Sequence, residues 1–169
     1  MALIIEDGSI VANADSYVTV AEFRAYATKR GVTTLPVDDA DCEPLLIRAM
    51  DYLATLEDRF KGCRVSADQM LSWPRKNVYI FGNLYPYTSI PPQLKAGQCI
   101  LAMAAMTIEL QPTVDPSNAN IKRDKTGPLE TEFFGPGDGA YSQPIITAAE
   151  TAMAAIMQGG AFTVTVDRA

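Results

Sequence analysis

The sequence predicts a mainly α protein, a small helical bundle with a projecting β-hairpin and extended terminal arms. Three observations carry this expectation. Apolar residues recur at three- and four-residue spacing through long stretches of the chain. The β-type runs at the two ends are short and isolated in sequence. Between them, residues 121–125 and 129–134 flank Thr126-Gly127-Pro128 as the two arms of a hairpin. With 169 residues and 18.3 kDa there is room for one compact domain. The boundaries predicted are an N-terminal arm over 1–13, a body over 14–158 that includes the hairpin at 121–134, and a C-terminal arm over 159–169.

Residues 3–5 form a β-type run, and Asp7-Gly8 marks a turn after it. Thr19 followed by Glu22 is a capping box, so a helix starts there, with Val20, Phe23 and Ala27 on one face. Lys29 and Arg30 fall in its expected last turn, and Gly31 ends it. The acidic group Asp38, Asp39, Asp41 and Glu43 precedes a second helix, with Pro44 expected in its first turn. Leu45, Leu46, Ala49, Met50, Leu53 and Leu56 supply the apolar stripe, and the helix is expected to end near residues 60–62. The carboxylates suit the positive end of that helix; the glycine and glutamate spacing of a calcium loop is missing.

Residues 64–92 read as irregular, apart from a short helix expected over 66–71 and stopped by Pro74. Pro91 and Pro92 open the longest helix, 93–110, whose wide apolar surface predicts burial on more than one side. A linker over 112–120 leads to the hairpin, in which Lys122, Arg123 and Lys125 on one arm face Glu130 and Glu132 on the other. A small-residue helix over 144–157 ends at Gly159-Gly160, and residues 162–166 form a terminal strand.

Composition narrows the function classes. The chain is 48% hydrophobic and 20% charged, in the range of folded domains. Its net charge is −6, the wrong sign for a protein that wraps nucleic acid electrostatically. Histidine is absent, which removes the commonest general base and the commonest metal ligand. Cys42, Cys63 and Cys99 are widely separated and form no Cys-x-x-Cys pair, so they read as free thiols in a reducing compartment. There is no signal-peptide pattern, no apolar run of membrane-spanning length, no nucleophile elbow and no phosphate-binding glycine loop. The expectation is a non-enzyme with no cofactor and no metal site.

Two features point to binding. From Arg59 to Lys95 there are six cations and a single acid, Asp68, with Trp73, Tyr79, Phe81, Tyr85 and Tyr87 interleaved. Rings beside cations can stack unpaired bases. On that reading the nucleic-acid contacts are Arg64, Trp73, Arg75 and Lys76. The competing reading puts Trp73 and Phe81 in a core or interface and pairs the cations with acidic neighbours. The second feature is apolar material outside the helices, at 78–90 and 162–166, which suggests surfaces that meet a partner.

Five short blocks in order carry a resemblance: Ala14-Asp15-Ser16-Tyr17-Val18, Leu46-Ile47-Arg48-Ala49-Met50-Asp51-Tyr52-Leu53, Gln69-Met70-Leu71-Ser72-Trp73-Pro74-Arg75, Ile90-Pro91-Pro92-Gln93-Leu94-Lys95, and residues 121–130. In these the chain resembles a tailed-phage head–tail connector family, over roughly residues 14–157. Members of that family are often labelled DnaT-like single-stranded-DNA-binding proteins, a label that implies a different activity. The resemblance implies a virion neck protein: a homo-oligomeric ring, a dodecamer, between the portal protein and the tail terminator or tail-tube protein. Duplex DNA would pass through the bore without sequence-specific binding, and no membrane is involved. On this reading the subunit and partner contacts are Tyr79, Phe81, Tyr85 and Tyr87 in the aromatic loop. Ile121, Lys122, Arg123, Lys125, Leu129, Glu130 and Phe133 follow in the hairpin, and Phe162, Val164 and Val166 in the tail. A single-stranded-DNA-binding module is the alternative.

Overall fold

The computed structural model describes residues 3–112, 123–126, 129–132 and 145–158. Within them lie four α-helices, two single-turn 3-10 segments and three two-stranded antiparallel ribbons. The protein is therefore mixed α/β rather than a mainly α bundle. The difference arises around residues 64–92, expected to be irregular apart from a short helix, where two of the ribbons form.

Helix α1 (Val20–Thr28) begins at the predicted capping box. The Glu22 N–H donates to the Thr19 hydroxyl at 3.1 Å, and the Glu22 carboxylate accepts from the Thr19 N–H at 2.9 Å. It ends one residue before Lys29, so the two cations lie beyond it, with Gly31 left-handed at φ +71°. Helix α2 (Asp39–Thr55) starts earlier than expected, which places Pro44 inside it. Arg24 holds this start in place: its guanidinium donates to the carbonyls of Pro36 and Val37 and to Asp39, each at 2.8 Å. After α2 the chain turns through Glu57–Arg59 as a 3-10 segment.

Helix α3 (Pro92–Ala104) is shorter than the apolar run that predicts it. Just past its end, carbonyls are bonded by side chains. Arg48 donates to the oxygens of Ala105 at 3.0 Å and Ile108 at 3.5 Å, and the Thr107 hydroxyl donates to Ala104 at 3.1 Å. Helix α4 (Thr147–Met153) continues as a 3-10 turn over Ala154–Ile156. Helix α3 packs against both α2 and α4, and the core lies between them. Phe23, Leu46, Leu53, Leu94, Leu101, Met153 and Ile156 are fully buried there. Gln98 crosses this core: its carboxamide accepts from the Tyr17 N–H at 3.1 Å and donates to the Ser16 hydroxyl at 2.7 Å and to the Leu46 carbonyl at 3.3 Å.

The ribbons are β1 (Cys63–Arg64) with β2 (Arg75–Lys76), β3 (Tyr79–Ile80) with β4 (Asn83–Leu84), and β5 (Arg123–Thr126) with β6 (Leu129–Glu132). The third is the predicted hairpin, and its register sets Arg123 opposite Glu132 and Lys125 opposite Glu130. The helix expected over 66–71 is absent. There the Gln69 side chain accepts from the N–H groups of Val65 and Ser66 and donates to the carbonyls of Leu71 and Pro74, taking the place of helical bonding.

The described part of the N-terminal segment is tied to the residues that follow it. Residues 4 and 15 exchange bonds, the Glu6 N–H donates to Ser16, and the Glu6 carboxylate, 2% exposed, accepts from Gly8, Ile10 and Val11. Gly8, at φ +111°, lies so close to the next segment that a Cβ would sit 2.3 Å from the Thr88 oxygen. The strand expected over 162–166 lies outside the described residues.

Candidate functional site

Alternation along β3 separates anchors from exposed groups. Val78 and Ile80 are buried, whereas Tyr79 is 58% exposed and Phe81 82%. Tyr79 pairs with Leu84 across the ribbon, so the two share its solvent face, and Leu84 is 62% exposed. The Tyr85 N–H extends the pairing by donating to the Val78 carbonyl at 2.8 Å. Tyr85 is half-buried against the core, and that burial raises its hydroxyl pKa. Tyr87 is again open, 57% exposed. At the ribbon tip, Phe81 and Gly82 take φ values of +51° and +82°, the left-handed pair that a tight two-residue hairpin turn requires.

Beside the ribbon is a cleft of about 670 Å³, lined by Val65, Lys76, Asn77, Leu84, Tyr85, Pro86 and Tyr87. Its size is that of a small-molecule site. Lys76, on β2, is exposed and has no ion-pair or hydrogen-bond partner for its ammonium among the described residues. Asn77 follows it in the left-handed conformation at φ +61°, a geometry asparagine tolerates better than most residues.

The other cations of the segment are committed to the fold, and this corrects the picture of an open basic stretch. Arg59 pairs with Glu150 at 2.5 Å, Lys95 with Glu22 at 3.1 Å, and the Lys61 ammonium donates to the Ala155 carbonyl at 2.8 Å. Arg64 grips Glu57 through two nitrogens at 2.5 and 2.6 Å, and this bonding holds the Glu57 carboxyl below the usual glutamate range. Arg75 is 7% exposed and donates to the Lys61, Gly62 and Ser72 carbonyls. Trp73 is fully buried, edge-on to Phe60 with ring centres 6.1 Å apart, and its backbone N–H donates to the Tyr17 hydroxyl.

Of the four nucleic-acid contacts predicted from sequence, Trp73 and Arg75 are therefore structural. A ring inside the core offers no face to a base, and a guanidinium spent on three carbonyls offers no donors to a phosphate. Arg64 is partly exposed but ion-paired, and Lys76 alone is open. Tyr79, Phe81 and Tyr87 are the exposed rings, with Tyr85 behind them. Asn77 and Leu84 were not singled out by sequence reasoning. The alternation of Tyr79, Ile80 and Phe81 before Gly82-Asn83 is the hairpin signal that would have found them. For Arg123, Lys125, Leu129 and Glu130 the backbone is that of β5 and β6. Ile121, Lys122, Phe133, Phe162, Val164 and Val166 lie outside the described residues.

Among the described residues, no cluster of three or more metal-ligating side chains occurs, and no helix is long and apolar enough to cross a membrane. No curated protein and no solved structure matches the chain. One family model matches, over residues 1–169, and its description is "Putative DnaT-like ssDNA binding protein". That match overturns the head–tail connector assignment. With it go the portal and tail partners, the homo-oligomeric ring around duplex DNA and the role of a neck connector. The five sequence blocks lie inside the matched span, so they mark the family that bears the DnaT-like label rather than a connector. The chain belongs to the DnaT-like ssDNA binding protein family.

Proposed function

We propose that the protein is a non-catalytic single-stranded-DNA-binding module, and that it takes the strand along ribbon β3–β4 and the cleft beside it. The observation that carries this reading is the grouping of three open rings, Tyr79, Phe81 and Tyr87, on one short segment that also contributes to a cleft holding the unpaired Lys76. Unstacked bases supply the flat apolar faces such rings accept, and a lysine beside them meets the phosphate between two bases. Duplex DNA keeps its base faces stacked and would gain only the lysine contact. Family membership supports the same ligand class.

The arrangement sets the form of the binding. One open cation at the site and a net charge of −6 on the chain leave stacking as the main attraction. The logarithm of the association constant should then fall with the logarithm of salt at a slope of about −0.7, the contribution of one neutralised phosphate on a single strand. Fluorescence anisotropy with labelled single-stranded and duplex oligonucleotides tests the reading. Single strands should bind and duplex should not, and Tyr79→Ala and Tyr87→Ala should each weaken binding about 5- to 100-fold. Equal affinity for duplex, or indifference to both substitutions, would refute it.

A further inference from the structure

Stacking is tolerant of sequence, because every base has a π face. The cleft, however, also presents a group that is not tolerant. Asn77 lines it beside Tyr85 and Tyr87, and the Asn77 carboxamide has no hydrogen-bond partner among the described residues. An open carboxamide offers a carbonyl acceptor and an N–H donor side by side. In an unpaired strand adenine presents the complement on two edges, since its N6 donor lies between the N7 and N1 acceptors, whereas cytosine and thymine present a donor beside an acceptor on one edge only. Asparagine reads such a pair with two bonds. The cleft thus holds the three parts needed to hold a nucleotide: tyrosine rings for the base face, Asn77 for the base edge and Lys76 for the phosphate.

We propose that the cleft is a base-reading slot and that Asn77 gives the protein a preference for adenine in single-stranded DNA. The inference rests on the single-stranded-DNA reading above. It assigns different consequences to the two neighbouring residues. Lys76 meets a group common to all nucleotides, so its removal weakens binding evenly. Asn77 meets one edge, so its removal changes the ratio between bases.

Asn77 also occupies a left-handed backbone position, so the informative substitution is Asn77→Gly, which keeps φ near +61° without strain and deletes only the carboxamide. Anisotropy titrations of oligo-dA, oligo-dT and oligo-dC would be compared for the unmodified chain, Asn77→Gly and Lys76→Gln, with thermal melts showing that each variant is folded. The unmodified chain should prefer oligo-dA about tenfold, within the range a two-bond contact discriminates. Asn77→Gly should bring the three to within about twofold while oligo-dT binding is retained, and Lys76→Gln should weaken all three alike. Equal binding of the three by the unmodified chain would overturn the slot and leave the DNA-binding reading standing. A preference that survives Asn77→Gly would overturn the role of Asn77. Failure to bind any of the three would overturn the slot together with the reading beneath it.

Discussion

Phe81→Asn should make the protein more stable and a poorer DNA binder. Phe81 occupies the first position of the β3–β4 turn at φ +51°, where an ordinary side chain costs about 1–2 kcal/mol and asparagine considerably less. The ring recovers little of that cost. Complete burial of a phenylalanine is worth about 1.5–3 kcal/mol, but this side chain is 82% exposed. Asparagine should therefore gain about 0.5–1 kcal/mol, raising Tm by about 1–4 °C in a domain of this size. The stacking contact that is lost is worth about 1–3 kcal/mol per base, a weakening of about 5- to 150-fold. Differential scanning calorimetry and oligonucleotide anisotropy on the same preparation read both signs. A lower Tm would mean the ring packs in the free protein. A higher Tm with unchanged affinity would mean that the exposed ring has no part in holding DNA.

The remaining predictions concern the scaffold that presents the ribbon. Gln98→Leu fills the same space but leaves the buried Tyr17 N–H without an acceptor, so urea unfolding should show a loss of about 1–3 kcal/mol. Glu57→Gln should cost about 1–2 kcal/mol at neutral pH, because the carboxylate bonds Arg64 and Ser72. The Glu57 pKa is lowered in the folded state, chiefly by the Arg64 hydrogen bond. Its stabilisation is therefore present above the ordinary glutamate pKa and lost as pH falls through the folded value. Urea midpoints measured down the acid limb should accordingly converge for the two proteins, and a constant gap would contradict the sign. Gly97→Ala should destabilise by about 1–2 kcal/mol despite the better helix propensity of alanine, since its Cβ would lie 2.5 Å from the Sδ of the buried Met153. Truncating Met153 in the same chain should cancel part of that effect, measured as a double-mutant cycle.

The elements legible in the sequence were those whose causes are local. The Thr19–Glu22 capping box sets the start of α1, and periodic apolar residues in α2 and α3 describe the faces they bury. Residues 60–90 were not legible because distant side chains hold them. The Tyr17 hydroxyl takes the Trp73 N–H, and the Arg75 guanidinium closes on the carbonyls of Lys61 and Gly62. No periodicity records such contacts. The charge count failed for the same reason. Six cations against one acid holds along the chain, but Glu22, Glu57 and Glu150 come from outside that window and neutralise Lys95, Arg64 and Arg59. Linear charge therefore overstates the basic surface, whereas the exposure of Tyr79, Phe81 and Tyr87 follows from their place outside the helices.

Left-handed residues bracket the ribbon, Asn77 where it begins and Phe81 with Gly82 at its tip. Between them Val78 and Ile80 are fastened in the core, with Tyr79 turned the other way. This division matters for binding. A ring carried on a floating loop would lose backbone freedom when a base stacked on it, and each residue newly ordered costs about 1–2 kcal/mol. Tyr79 and Phe81 stand on backbone already ordered by folding, so a stacking contact worth about 1–3 kcal/mol is not consumed by that cost. An acidic chain with one open lysine at its site lacks the charge to offset such a loss. The ribbon anchored in the core, rather than a basic surface, is thus the feature that would let a protein of net charge −6 hold a phosphate chain.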